Sequence, residues 1–169
     1  IFLDVWLLHV WQWVGWTMST QKFLIIGQGD IGLPVTNKLA QNGLNVTGLA
    51  RGERHQYAVS DKAAFMQADA VTLKAEQLQD FTHIAIIVTP DEYSTSGYHN
   101  SYLAINQHVA KYADKLTQLE RVIFISSTGV YGQNNGEWID AYTAPMTPER
   151  EASKVILQSP LYKISVVNS

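Results

Sequence analysis

From Lys22 onward, short apolar runs alternate with amphipathic stretches. KFLIIG (22–27) is apolar at nearly every position and ends in Gly, the pattern of a strand buried on both faces of a parallel sheet. DIGLPVTNKLAQNG (30–43) then sets Ile31, Val35 and Leu39 four residues apart on one helical face, closed by Gly43. Pro34 falls in the first turn, where a missing N–H is tolerated. LNVTGLAR (44–51) predicts a second strand, ADAVTL (68–73) a third, and THIAIIVTP (82–90) a fourth stopped by Pro90. A long helix fits 98–118, RVIFISS (121–127) predicts a fifth strand, a further helix fits 148–158, and YKISVV (162–167) predicts a sixth strand. Strand–helix alternation of this kind predicts an α/β fold, a parallel sheet covered by helices on both faces. Ligands of such sheets bind outside the carboxyl ends of the strands, at the point where the strand order reverses. The strand exits are therefore the places to look for chemistry.

The first exit reads GQGDIG (27–32), which fits G-x-G-x-x-G. The motif carries meaning here because a strand precedes it and a helix follows it. Gly27 permits the tight turn, Gly29 lets the backbone approach a pyrophosphate, and Gly32 allows the helix to pack closely on the strand. Asp30 and Ile31 complete the loop, and the free N–H groups of the helix start face the phosphates. The second exit selects between cofactors. An NAD site ordinarily offers an acidic residue about twenty residues after the glycines, on the ribose hydroxyls. This chain reads GLARGERH (48–55), and Arg51 and Arg54 suit a 2′-phosphate through charge-assisted contacts. NADP is thus the expected cofactor, with NAD the alternative if Glu53 takes the acidic role. Asp69 is a candidate acceptor for the adenine amino group or a plain turn residue, and Thr89 and Pro90 are candidates to flank the adenosine.

Composition narrows the remaining classes. The 169 residues are 46% hydrophobic, and 12 Lys and Arg against 15 Asp and Glu leave a net charge of −3. That suits one domain of ordinary size, over residues 19–169, and supplies no basic stripe for nucleic acid. Cysteine is absent, which excludes disulfides and thiol nucleophiles and suits a reducing, cytoplasmic setting. The histidines (His9, His55, His83, His99, His108) show no close ligand spacing, so no metal is expected. Residues 1–18 form an apolar extension holding four tryptophans. It lacks a basic start and a small-residue cleavage site, so it reads poorly as a signal peptide. Translated upstream sequence is the favoured reading, and a membrane-surface anchor through the tryptophans, without Lys or Arg to meet anionic lipid, is the alternative. Met18 is read as the natural start.

Taken together, GQGDIG, GLAR and ISSTGVYG…GEWID (125–140) resemble the extended and atypical short-chain dehydrogenase/reductases, proteins of the NAD(P)-dependent epimerase/dehydratase type. The resemblance covers about residues 20–169. It implies a Rossmann-type doubly wound sheet of order 3-2-1-4-5-6, with a C-terminal substrate domain that this chain does not reach. It also implies a cofactor dinucleotide, a sugar-nucleotide or small carbonyl substrate, and dimer contacts through the helices near 98–118 and 148–158. On the strand exit, Ser127 matches the family's catalytic hydroxyl, with Thr128 adjacent. The Tyr-x-x-x-Lys pair expected on the following helix is missing: Tyr131, Tyr142 and Tyr162 are followed four residues on by Asn135, Met146 and Val166. A phenol with its ordinary pKa near 10 needs a neighbouring cation to act as a base at neutral pH. Tyr131 therefore fits a packing or hydrogen-bond-donating role better than that of a base. Glu137, Trp138 and Asp140 either shape that loop or contact substrate. Atypical members also lack the pair, so three functions stay open: an NADP-linked enzyme, a non-catalytic NADP(H) sensor, or an inactive fragment.

Overall fold

The computed structural model describes residues 21–53, 58–126, 135–140, 143 and 166–168. The first apolar run forms β1 (Lys22–Ile26), followed by α1 (Gly32–Gln41) and β2 (Asn45–Ala50). Then come β3 (Ala64–Gln67), a short 3-10 turn (Ala70–Thr72), α2 (Ala75–Leu78) and β4 (His83–Ile86). A helical stretch follows in three parts: α3 (Thr95–Tyr98), a π turn (His99–Leu103) and α4 (Ala104–Ala110). β5 (Arg121–Ser126) and β6 (Val166–Asn168) complete a six-stranded sheet of order β3-β2-β1-β4-β5-β6. Every pairing is parallel. The order expected from the resemblance is the order found.

Alternation along the central strands explains the layers, because successive side chains of a strand point to opposite faces. Leu24, Ile26, Leu49, Ile84, Ile86 and Phe124 share one core with Tyr102, Ile105 and Val109 of the π turn and α4. Ile25 and Val46 point the other way and pack with Ala40 of α1. Central strands apolar on both faces follow directly from this double covering. The edge strand β3 reads AFMQ, with no fully buried residue, as one-sided packing allows.

Three boundaries differ from the pattern-based expectation. The third strand lies at Ala64–Gln67, not at 68–73. Its register ends where Ala50 meets Gln67, and the Ala68 N–H donates one last bond to the Ala50 carbonyl. Asp69 then turns the chain, its side chain accepting from the Val71 N–H at 3.2 Å and its carbonyl from the Thr72 hydroxyl at 2.8 Å. The fourth strand stops at Ile86, well before Pro90. Its neighbour β1 is diverted at Gly27, φ +97°, so after the Ile87 N–H bonds the Ile26 carbonyl at 2.8 Å the ladder on that side ends. The long helix runs from Thr95 to Ala110 instead of 98–118. Ser94 caps its start by accepting from the Gly97 N–H at 3.1 Å. Where the π turn meets α4, the buried Asn106 amide donates to the Tyr102 carbonyl at 2.6 Å, a side chain competing for a backbone acceptor. The extension 1–18 and the helix expected at 148–158 lie outside the described residues.

Candidate cofactor cleft

The carboxyl ends of the strands open into a cleft of about 1120 Å³. Its floor is the glycine-rich turn, and the three glycines there do different work. A Cβ on Gly27 would stand 2.0 Å from the Ile87 carbonyl oxygen, and one on Gly32 would stand 2.0 Å from the Gly27 carbonyl oxygen. Both are glycine because the protein's own backbone passes there. A Cβ on Gly29 would meet nothing within 4 Å. No neighbour in the described fold requires Gly29 to be small, and its open side faces the cleft. The helix start behind it has no side-chain cap and no acidic residue in its first turn. The Leu33 N–H already donates to the Gly29 carbonyl at 3.1 Å and Pro34 has no N–H. What this start offers an anion in the cleft is therefore the Gly32 end of the helix and its positive dipole. A pyrophosphate fits this floor.

Gln28 fixes the turn from below. Its buried amide donates to the Ile25 carbonyl at 3.0 Å and to the Gly27 carbonyl at 3.1 Å. It lies against Gly48 of β2, where a Cβ would come within 2.8 Å of the Gln28 side chain. The glycine in the middle of β2 thus answers to a glutamine in the phosphate loop. Nothing in the local pattern announces that pairing.

The walls are of two kinds. On one side stand the exits of β2, β3 and β4, carrying Arg51, Asp69, Thr89, Pro90 and Asp91. Arg51 is paired: its two terminal nitrogens donate to the two Asp91 oxygens at 2.8 and 2.5 Å. The pairing holds the Asp91 carboxyl below its ordinary value and raises the guanidinium further. The charge of Asp69 also acts on Arg51, from the β3 exit. On the other side the helical stretch brings Tyr98, Tyr102 and Ile105 to the cleft, with Ile125 of β5. Tyr102 is 5% exposed and meets Phe124 edge-on at 5.7 Å, with the Tyr98 ring 5.5 Å away. Burial, and then the nearby phenols of Tyr98 and Tyr93, push the Tyr102 hydroxyl above its ordinary pKa.

Gly27, Gly29, Asp30, Ile31, Gly32, Arg51, Asp69, Thr89 and Pro90 all line this one cleft. Arg54, Ser127, Thr128 and Tyr131 lie outside the described residues. The sequence reading missed Gln28, Asp91 and the tyrosine wall. Asp91 directly follows Thr89–Pro90 and was within reach of a strand-exit argument. The tyrosines carried only the signal of an i, i+4 pair on an apolar helix face. Farther on, the GEWID loop is tied to itself: Glu137 accepts from the Asn135 N–H at 2.7 Å, and Thr143 donates its hydroxyl to Asp140 at 2.9 Å. Backbone amides, its own first, hold the Glu137 carboxyl below its ordinary value, while Trp138 is exposed.

Comparison with known proteins agrees with this architecture. The profile of the NAD dependent epimerase/dehydratase family matches residues 23–154. The chain belongs to that family. Among solved structures, the fold superimposes on UDP-glucuronic acid 4-epimerase from Bacillus cereus in complex with NAD, with a TM-score of 0.69 and 17% identity. That match covers 88% of this chain and 54% of the other. A UDP-glucose 4-epimerase matches with a TM-score of 0.65 and 21% identity, over 81% of this chain and 44% of its own. A UDP-galactose 4-epimerase matches with a TM-score of 0.68 and 16% identity, over 88% and 55%. The chain thus spans about half the length of these structures. No curated protein matches it by sequence. Among the described residues, no helix of this epimerase/dehydratase domain is long and apolar enough to cross a membrane.

Proposed function

We propose that this domain binds NADP, with NAD as the weaker alternative, for an epimerase, dehydratase or reductase acting on a sugar nucleotide or a small carbonyl compound. The observation that carries the reading is the open space over Gly29 in front of an uncapped helix start. In this reading the backbone of Gly27, Gly29, Asp30, Ile31 and Gly32 cradles the pyrophosphate. Arg51 and Arg54 take the 2′-phosphate, Asp69 accepts from the adenine amino group, and Thr89 and Pro90 flank the adenosine. When bound, the nicotinamide supplies reversible hydride acceptance. Ser127 and Thr128 orient the substrate oxygen, and Tyr131 donates a hydrogen bond to it. The domain works in the cytoplasm as a homodimer and has no nucleic-acid partner.

A second reading is favoured by one observation, the missing Tyr-x-x-x-Lys pair. With no lysine to lower a phenol's pKa, the domain holds NADP(H) without turnover and acts as a sensor. Calorimetric titration with NADP and NAD, followed by NADPH consumption on a panel of carbonyl substrates, separates these outcomes. Tighter binding of NAD overturns the NADP preference, and binding without consumption selects the sensor. Failure to bind either dinucleotide rejects both.

A further inference from the structure

We propose that Asp91 is a specificity-determining residue of the cleft, because its carboxylate occupies the Arg51 fork that a ribose 2′-phosphate would need. The inference rests on the dinucleotide reading above and extends it to a residue on the far side of the glycine turn. β2 and β4 flank β1 in the sheet, so the bridge from Arg51 to Asp91 crosses the carboxyl end of β1. That end delivers the phosphate loop, and both partners line the cleft. The two bonds at 2.8 and 2.5 Å use one nitrogen each from the end of the guanidinium. Carboxylate and phosphate monoester satisfy that edge by the same geometry, so each excludes the other from it.

Arg51 is held in place by its backbone as well, since its carbonyl accepts from the Gln67 side chain at 3.3 Å. The side chains of Arg51 and Asp91 are 62% and 63% exposed, so water screens the pair. A bridge of this kind is worth up to about fivefold in an equilibrium constant. It is strong enough to shift a cofactor preference and weak enough for a doubly charged phosphate to displace. NAD carries a neutral hydroxyl in place of that phosphate, which cannot replace the carboxylate on both nitrogens, and leaves the bridge closed.

The test is calorimetry with NADP, NAD and 2′,5′-ADP on the wild-type chain and on Asp91→Asn, which keeps the size and removes the charge. Asp91→Ser serves as a second variant of different shape. Both variants are expected to bind NADP and 2′,5′-ADP about three- to fivefold tighter, with NAD changed by less than about twofold. In an Arg51→Gln background the same substitutions are expected to give no gain. Unchanged or weaker NADP binding by the variants overturns the inference, as does equal tightening of NAD and NADP. A wild-type chain that binds NADP while the variants do not respond fails the inference alone. A wild-type chain that binds neither dinucleotide fails the reading beneath it, and the inference with it.

Discussion

One wall of the cleft carries Arg51, Asp69 and Asp91 on strand exits, all open to water; the other carries Tyr98, Tyr102 and Ile105 on a helix packed against the sheet. The first wall is held by an exchangeable ion pair, the second by buried rings. The difference follows from what each side can afford to expose. Charged groups stay hydrated at a rim and trade partners at little cost, whereas a phenol ring that has left water has no comparable alternative to its packing. On the proposed reading, a cleft built this way keeps one side rigid and leaves the other responsive to an arriving anion.

The comparison breaks most visibly at the rigid wall. Phe124→Ala, which removes the ring under Tyr102 from a fully buried site, is expected to cost about 3–5 kcal/mol in urea unfolding. The floor gives the next effect, and there the glycines should separate. Gly32→Ala forces a Cβ against the Gly27 carbonyl and is expected to cost about 1–3 kcal/mol of stability. Gly29→Ala meets no protein atom, so its melting temperature should hold while dinucleotide affinity falls about tenfold by calorimetry. Equal melting losses at the two positions would show that Gly29 has a structural duty of its own.

At the responsive wall, Arg51→Gln should weaken NADP roughly tenfold and NAD far less, since one charge-assisted contact is lost. The smallest effects are in pH, and the two walls should fail at opposite ends of the scale. The Tyr102 hydroxyl has a folded pKa above its unfolded value, so its contribution is fully present below about pH 10 and is lost as pH rises through the folded value. Asp91 has a folded pKa below its unfolded value, so its contribution is present above the ordinary carboxylate range and is lost as pH falls through the folded value. Urea midpoints across pH should show the alkaline loss reduced in Tyr102→Phe and the acid loss reduced, by less, in Asp91→Asn. The opposite assignment would break the comparison.

Much of the fold was legible because parallel strands buried on both faces must be apolar throughout, and KFLII and RVIFIS state that without ambiguity. The third strand was misplaced for the converse reason. AFMQ lies at an edge with one covered face, so its pattern is weaker than that of ADAVTL, whose apolar residues belong to a turn capped by Asp69. The glycine turn was visible in six residues because its duty is local: a sharp turn, a close helix and an uncapped helix end.

The sequence by itself determined the central apolar strands and the phosphate turn, which rest on periodicity or on neighbours within a few residues, and through its motifs the family, while it misplaced the edge strand. Only the tertiary structure decided that Gln28 fills the hollow over Gly48 and that Arg51 is held by Asp91, forty residues away. Strand order makes those partners, by setting β2 directly beside β1 and β4 on the other side of β1, and contacts across a sheet leave no local pattern in the chain.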